Sequence, residues 1–260
     1  MAKPMPESGF HYNIGKYQCI VFSDGTLVSQ DSGKEEVFDL NCLFISSGDH
    51  KILIDTGCGG GFQSTAGRLV KNLEAEGIKP ADIDRIIFTH GHIDHVGGSF
   101  DSRGSSVFPG ARYFATEREW QYWLTGPESS ELQRMFFLGA RKNLLPLRDR
   151  FNLVKGDDEI LRGIRLIAAP GHTPGNIIVD ISSGGKRLLC IGDIIHSQIE
   201  FTNPGYLSLF DVAPEQALLT RARILADVAQ AGTLVFACHF PFPGFGYIRR
   251  DKGAFTWQPI

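Results

Sequence analysis

Short apolar runs rich in β-branched residues recur along the chain, and each stops at a polar residue and a turn. Lys51–Ile54 stops at Asp55-Thr56-Gly57, Arg85–Thr89 at His90-Gly91-His92, and Ile164–Ala169 at Pro170-Gly171-His172. Arg187–Gly192 stops at Asp193, and Thr233–Cys238 at His239. Continuous apolar runs of four to six residues predict strands buried on both faces. Helical signals lie between them. Ser64–Glu76 has a Ser cap, apolar Leu69, Val70 and Leu73, and a Gly77/Pro80 stop. Thr116–Leu124 opens on the capping-box pair Thr116 and Glu119. Pro214–Ala229 begins with a helix-compatible proline and carries Leu218, Ile224, Leu225 and Val228 on roughly one face. Strands alternating with helices of this length predict layered α/β architecture. Tyr17–Val28 predicts two short strands around an Asp24-Gly25 turn.

No low-complexity linker and no long repeat interrupts the 260 residues, so we expect a single domain over 1–260. One segment stands apart. Residues 126–158 contain a predicted helix, Glu128–Leu138, with the apolar knot Met135-Phe136-Phe137-Leu138, and then a basic stretch. An insertion of this size reads as a lid or a subunit contact, or else as a helix packed on the core.

Composition narrows the function classes. Apolar residues make up 42% and charged residues 21%, an ordinary globular balance. A formal charge of −3 without a basic stripe argues against a nucleic-acid partner. No run approaches the roughly 18 apolar residues of a membrane helix. Met1–Phe10 has Lys3 but no apolar core after it, from which we expect a cytoplasmic protein without a secretory signal. Five widely spaced cysteines form no C-x-x-C, so neither a disulfide framework nor a thiolate cage is expected; Cys58 and Cys238 lie near the polar strand ends.

The chemistry is concentrated in the histidines. Three of the eight fall within six residues, in Thr89-His90-Gly91-His92-Ile93-Asp94-His95-Val96-Gly97-Gly98. Imidazole and carboxylate suit zinc, iron and manganese. A loop this short cannot easily turn four donors onto one ion, so the spacing predicts two. His172, Asp193 and His239 end other strands in the same way, and sites in α/β sheets form outside the carboxyl ends of strands. The seven donors are expected to converge.

His90-x-His92-x-Asp94-His95, Gly171-His172-Thr173-Pro174-Gly175, Gly192-Asp193 and His239 together resemble the metallo-β-lactamase superfamily, over residues from about 37 to 260. The C-terminal stretch His239–Gly246 looks like the methyl parathion hydrolase branch, with its lactonase relatives. The resemblance implies a four-layer αββα sandwich with a dinuclear site between two sheets. It implies that His90, His92 and His172 hold one metal, that Asp94, His95 and His239 hold the other, and that Asp193 bridges. Asp55 would stand behind the ligands and steady their loop. The cofactor would be two divalent ions, zinc first, with manganese, iron or cobalt as alternatives. The partner would be a small ester or lactone, with no nucleic acid and no membrane, in a homodimer.

Two divalent ions against Asp94, Asp193 and a hydroxide leave about one positive charge, which favours a substrate with a polarised oxygen. The hydroxide would attack a carbonyl carbon or phosphorus, and Asp94 would pass its proton to the leaving group. His196, three residues past Asp193, stands about where related lactonases carry a tyrosine; it reads either as an oxyanion donor or as a structural hydrogen bonder. Trp123, Phe136, Phe137, Phe242 and Phe245 are the candidates for an aromatic pocket. The alternatives to a lactonase, esterase or phosphotriesterase are a glyoxalase II-like thioesterase and a one-iron persulfide dioxygenase-like enzyme. The C-terminal helical domain of the former is not expected from the stretch that follows His239.

Overall fold

The computed structural model describes residues 9–31, 34–126 and 130–260. The first seven strands form one sheet in sequence order: β1 (Phe10–Ile14), β2 (Tyr17–Asp31), β3 (Lys34–Ser46), β4 (Lys51–Ile54), β5 (Arg85–Ile87), β6 (Arg112–Thr116) and β7 (Phe151–Val154). The next seven form a second, again in order: β8 (Asp158–Leu161), β9 (Ile164–Ala168), β10 (Ile177–Ser183), β11 (Lys186–Cys190), β12 (Leu234–Phe236), β13 (Phe245–Asp251) and β14 (Ala254–Pro259). Hairpin-linked strands pair antiparallel, whereas β4–β5–β6–β7 and β11–β12, joined by helical crossovers, pair parallel.

Alternation along the strands makes the layers. In β10, Ile177, Val179 and Ile181 face inward and meet Ile45, Ile54 and Ile87 of the first sheet, while Ile178 faces out. The outer face of the first sheet (Phe22, Phe44, Leu53, Phe88) is covered by α1 (Leu69–Ala75), α3 (Glu117–Thr125) and α4 (Glu131–Leu144). The outer face of the second (Ile178, Leu189, Val235) is covered by α6 (Pro214–Ala231), with Phe201 of α5 (Ile199–Thr202) in the same cluster. This is the expected αββα sandwich. Among the described residues no helix is long and apolar enough to cross a membrane.

Two local expectations fail. Asp24-Gly25 is not a turn between two strands but a bulge inside the continuous β2, where the pairing with β3 slips between Ser23 and Gly25. The bulge turns the Asp24 carboxylate away from the ladder, where it accepts from Cys58 N and Leu69 N, both at 2.9 Å. That also displaces the expected start of α1. Ser64 caps nothing, and the helix begins at Leu69 because its cap comes from a distant strand. Asp24→Ala strips both buried N–H groups of their acceptor. It is expected to cost about 2–4 kcal/mol in urea denaturation, and an unchanged midpoint would refute the capping role.

The segment at 126–158 holds α4, which starts at its cap Ser130. The expected helix start at Glu128 lies outside the described residues. Phe137, Ala140 and Leu144 pack on the first sheet, while Leu132, Met135 and Phe136 border a cavity over the polar strand ends.

Candidate metal centre

The strand ends deliver all seven predicted donors to one place. β5 runs through Phe88 and Thr89 into His90-Gly91-His92, and α2 (Ile93–Val96) carries Asp94 and His95 on its single turn. β9 leads to His172, β11 to Asp193, and β12 to His239. His90 Nε2, His92 Nδ1 and His172 Nε2 form a triangle with sides of 2.9, 3.0 and 3.1 Å. Tetrahedral zinc bonded to nitrogen at about 2.0–2.1 Å places its ligand atoms about 3.4 Å apart, so the triangle is close to the size one ion needs. Beside it, His95 Nε2 and His239 Nε2 each lie 3.5 Å from Asp94 Oδ2 and 3.2 Å from Asp193 Oδ1. Asp193 stands between the groups, with Oδ2 at 3.4 Å from His172 Nε2 and 3.8 Å from His90 Nε2.

The donors are held from behind. Asp55 takes the Nδ1 proton of His95 at 2.8 Å, and it also accepts from Thr89 N and Thr89 Oγ1. Asp211 takes the Nδ1 proton of His172 at 3.0 Å, and the Asp39 carbonyl takes that of His239 at 3.1 Å. A neutral imidazole whose Nδ1 donates outward presents a bare lone pair at Nε2. At His172 that lone pair points at His90 Nε2 and His92 Nδ1, 3.1 and 2.9 Å away. His95 Nε2 finds no hydrogen-bond partner among the described residues. Buried lone pairs facing lone pairs are costly unless a cation sits among them, and this donor set fits two.

The electrostatics differ between the two groups. Burial, reinforced by neighbouring imidazoles, holds His90 and His92 below the ordinary histidine range, His92 at about 3. Burial also opposes charge on His95 and His239, but Asp193, with Asp94 and Asp55 added at His95, holds both well above it. Asp193 is buried and Asp94 partly so, yet both are held below the usual carboxylate range by the surrounding imidazoles, His95 foremost for Asp94 and His239 for Asp193. One group contains two imidazoles kept from charging, the other a set of charge pairs.

His196 reaches the same place, its Nε2 3.4 Å from Asp193 Oδ2. Its Nδ1 donates to Glu200 Oε1 at 3.2 Å, and Glu200 Oε2 accepts from His196 N and Ser197 N. Behind Glu200 lies Arg221 of α6, 2.6 Å from Glu200 Oε1, 3.5 Å from Asp211 Oδ2, and donating to the Ile194 and Tyr206 carbonyls. A buried chain, His196–Glu200–Arg221–Asp211–His172, thereby joins two imidazoles of the centre. Sequence reasoning missed Glu200, Asp211 and Arg221. The spacing of His196 and Glu200 at i and i+4, just past the Asp193 strand end, was the available signal for the first pair.

Five of the seven donors, His92, Asp94, His172, Asp193 and His239, floor a cavity of about 320 Å³. Its walls are apolar, with Leu27, Val28 and Phe38 on one side and Leu132, Met135 and Phe136 on the other. Of the five aromatic candidates, only Phe136 lines it. Trp123, Phe137 and Phe245 are fully buried, and Phe242 packs against the core between the sheets. Phe136 and Phe137 are neighbours on α4, and a step of about 100° per residue sends one to the cavity and the other to the core.

Comparison with known proteins bears on the family and the fold. The family model of the metallo-beta-lactamase superfamily matches residues 36–239. An N-acyl homoserine lactonase from Bacillus sp. is 27% identical over 175 residues, 66% of this chain and 62% of the relative. The probable metallo-hydrolase Rv2300c of Mycobacterium tuberculosis is 27% identical over 183 residues, 59% of this chain and 56% of the relative. The chain thus spans about three fifths of the length of these curated relatives. Among solved structures, AidC, a dizinc quorum-quenching lactonase, superposes with a TM-score of 0.92 at 24% identity over 97% of both chains. The hydrolase AbOPH superposes with a TM-score of 0.88 at 28% identity, again over 97% of both. With the family model spanning the whole segment from β3 to His239, the chain belongs to the metallo-beta-lactamase superfamily.

Proposed function

We propose that this chain is a metal-dependent hydrolase of lactones or closely related esters, using two divalent ions, zinc first. The observation that carries this is the pair of donor groups around Asp193 at the floor of an apolar cavity. His90, His92 and His172 would hold one ion, Asp94, His95 and His239 the other, with Asp193 between. Two such ions supply Lewis acidity and draw a nucleophile from water near neutral pH. The protein does the rest. Asp55, Asp211 and the Asp39 carbonyl fix three imidazoles by their outer nitrogens. The apolar walls exclude water and seat a hydrocarbon portion of the substrate. Asp94, 13% exposed at its side chain and facing the cavity, is placed to take and return a proton. The lactone assignment is supported by the curated relatives that carry that name. A homodimer in the cytoplasm, formed by a single domain, belongs to the same reading.

His196 faces the cavity with Nδ1 committed to Glu200. In its protonated form Nε2 also donates and can steady charge developing on a carbonyl oxygen. His196→Phe is then expected to lower kcat by about 10–100-fold. An unchanged kcat would return His196 to a purely structural role.

The reading is tested with a medium-chain acyl-homoserine lactone, using chelator-treated protein as the control. A metal-dependent kcat/KM above about 10⁴ M⁻¹s⁻¹ is the expected result. No turnover by protein loaded with two ions would exclude lactones and move the assignment to phosphotriesters or other esters. A single bound iron would point instead to the dioxygenase alternative.

A further inference from the structure

Glu119 was expected to close a capping box by reaching back to the backbone of Thr116. It does not. Thr116 Oγ1 accepts from Glu119 N at 3.0 Å, as the pattern predicts, but the Glu119 carboxylate turns inward and is 2% exposed. Oε1 accepts from Gly91 N at 2.8 Å and from Trp123 Nε1 at 2.6 Å. Oε2 accepts from Thr173 Oγ1 at 2.7 Å and from Gly175 N at 2.9 Å. An ionised carboxylate offers about four acceptor positions, and all four are filled.

Those partners are not scattered. Gly91 is the residue between His90 and His92, and Thr173 and Gly175 flank Pro174 immediately after His172. Thr116 Oγ1 also donates to the Gly175 carbonyl at 2.8 Å, so the first turn of α3 grips the second loop twice. Contact is close enough to require glycine at both points. A Cβ on Gly91 would overlap the Trp123 indole, and one on Gly175 would overlap the Glu119 backbone. Trp123, bonded to Glu119, also stands edge-on to His92, with ring centroids 5.4 Å apart.

We propose that Glu119 is a positioning residue for the metal centre. One carboxylate ties the His90–His92 loop of the first sheet to the His172–Gly175 loop of the second, and so sets the 2.9–3.1 Å triangle of ring nitrogens. Glu119 touches neither substrate nor ion. It acts through two backbone amides, and its carboxylate lies behind the loops that carry the three imidazoles. This inference rests on the assignment of His90, His92 and His172 to one ion.

Glu119→Gln tests it. The amide keeps the shape but offers one oxygen, and its NH2 group meets donors. Zinc affinity is measured by competition with a chromophoric chelator, and coordination geometry by the visible spectrum of the cobalt-loaded protein. Loss of an outer hydrogen bond to a ligand loop typically weakens binding about 10–100-fold. That loss is expected for one ion of the two, with an altered cobalt spectrum and activity recovered at excess zinc. Faster amide exchange at Gly91 and Gly175 is expected before any metal is added. Wild-type affinity for both ions with an unchanged cobalt spectrum would overturn the proposal, even if thermal stability fell. Should Glu119→Gln fail to fold, Thr173→Val removes one donor of the four. It is expected to weaken the same ion several-fold, and no change would again overturn the proposal. His172→Ala separates the two claims. If it binds both ions as the wild type does, the ligand assignment itself is wrong, whereas normal loss there with no effect of Glu119→Gln sinks only the positioning role.

Discussion

Replacing Asp193 with alanine is expected to leave a folded protein that binds fewer than two ions and has lost almost all hydrolytic activity. The carboxylate lies within 3.2–3.8 Å of ring nitrogens of His90, His95, His172, His196 and His239. It is the one group shared by both donor sets, so its loss opens both at once. Removing one member of a set that acts as a unit costs most of what the set supplies, here a fall in kcat/KM of about 10³-fold or more. The fold is expected to survive because the imidazoles left without an anion can release their protons at neutral pH. Metal content per chain, near-ultraviolet circular dichroism and lactone turnover, measured on one preparation, check the three parts. Full turnover in Asp193→Ala would exclude the dinuclear assignment.

Arg221→Met is expected to act on stability instead. Arg221 is 2% exposed and faces two buried carboxylates, Glu200 and Asp211, besides donating to two carbonyls. Breaking a buried ion pair by removing one partner leaves an uncompensated charge and costs about 3–5 kcal/mol. The pH dependence identifies the cause. Burial opposes charge on Glu200, but His196 first and then Arg221 hold its carboxyl down at about 2, below its usual 4.5. A carboxyl held down in the fold contributes stability that is present above the usual value and lost as the pH falls toward the lower one. The gap between wild type and Arg221→Met in urea denaturation is therefore expected to narrow as the pH drops from about 5 toward about 3. A gap below about 1 kcal/mol, or one independent of pH, would mean that Arg221 contributes packing alone.

The layered architecture and the convergence of seven candidate donors were legible in the sequence for a common reason. Both are written locally, in apolar runs of strand length and in the polar residue that ends each run. What was not legible is held by contacts distant in sequence. Asp24-Gly25 has the composition of a tight turn, yet its carboxylate caps a helix more than forty residues later. Glu119 fits a capping box, yet three donors from two distant loops and Trp123 of its own helix draw its carboxylate away. Trp123 and Phe137 have the aromatic character of a pocket wall, but helix phase puts both in the core rather than in the cavity. Local pattern states which chemistry is present; which side chain stands behind it is decided by tertiary packing.

Each sheet is drawn from one contiguous half of the chain, the first ending at Val154 and the second beginning at Asp158. His90, His92, Asp94 and His95 come from the earlier half, and His172, Asp193 and His239 from the later one. On the ribosome, the nascent chain therefore displays four donors long before their three partners have been synthesised. The complete constellation forms only after His239 has left the exit tunnel and the halves have closed on each other. The full set of seven candidate donors is consequently assembled late in biosynthesis, with the docking of the two halves.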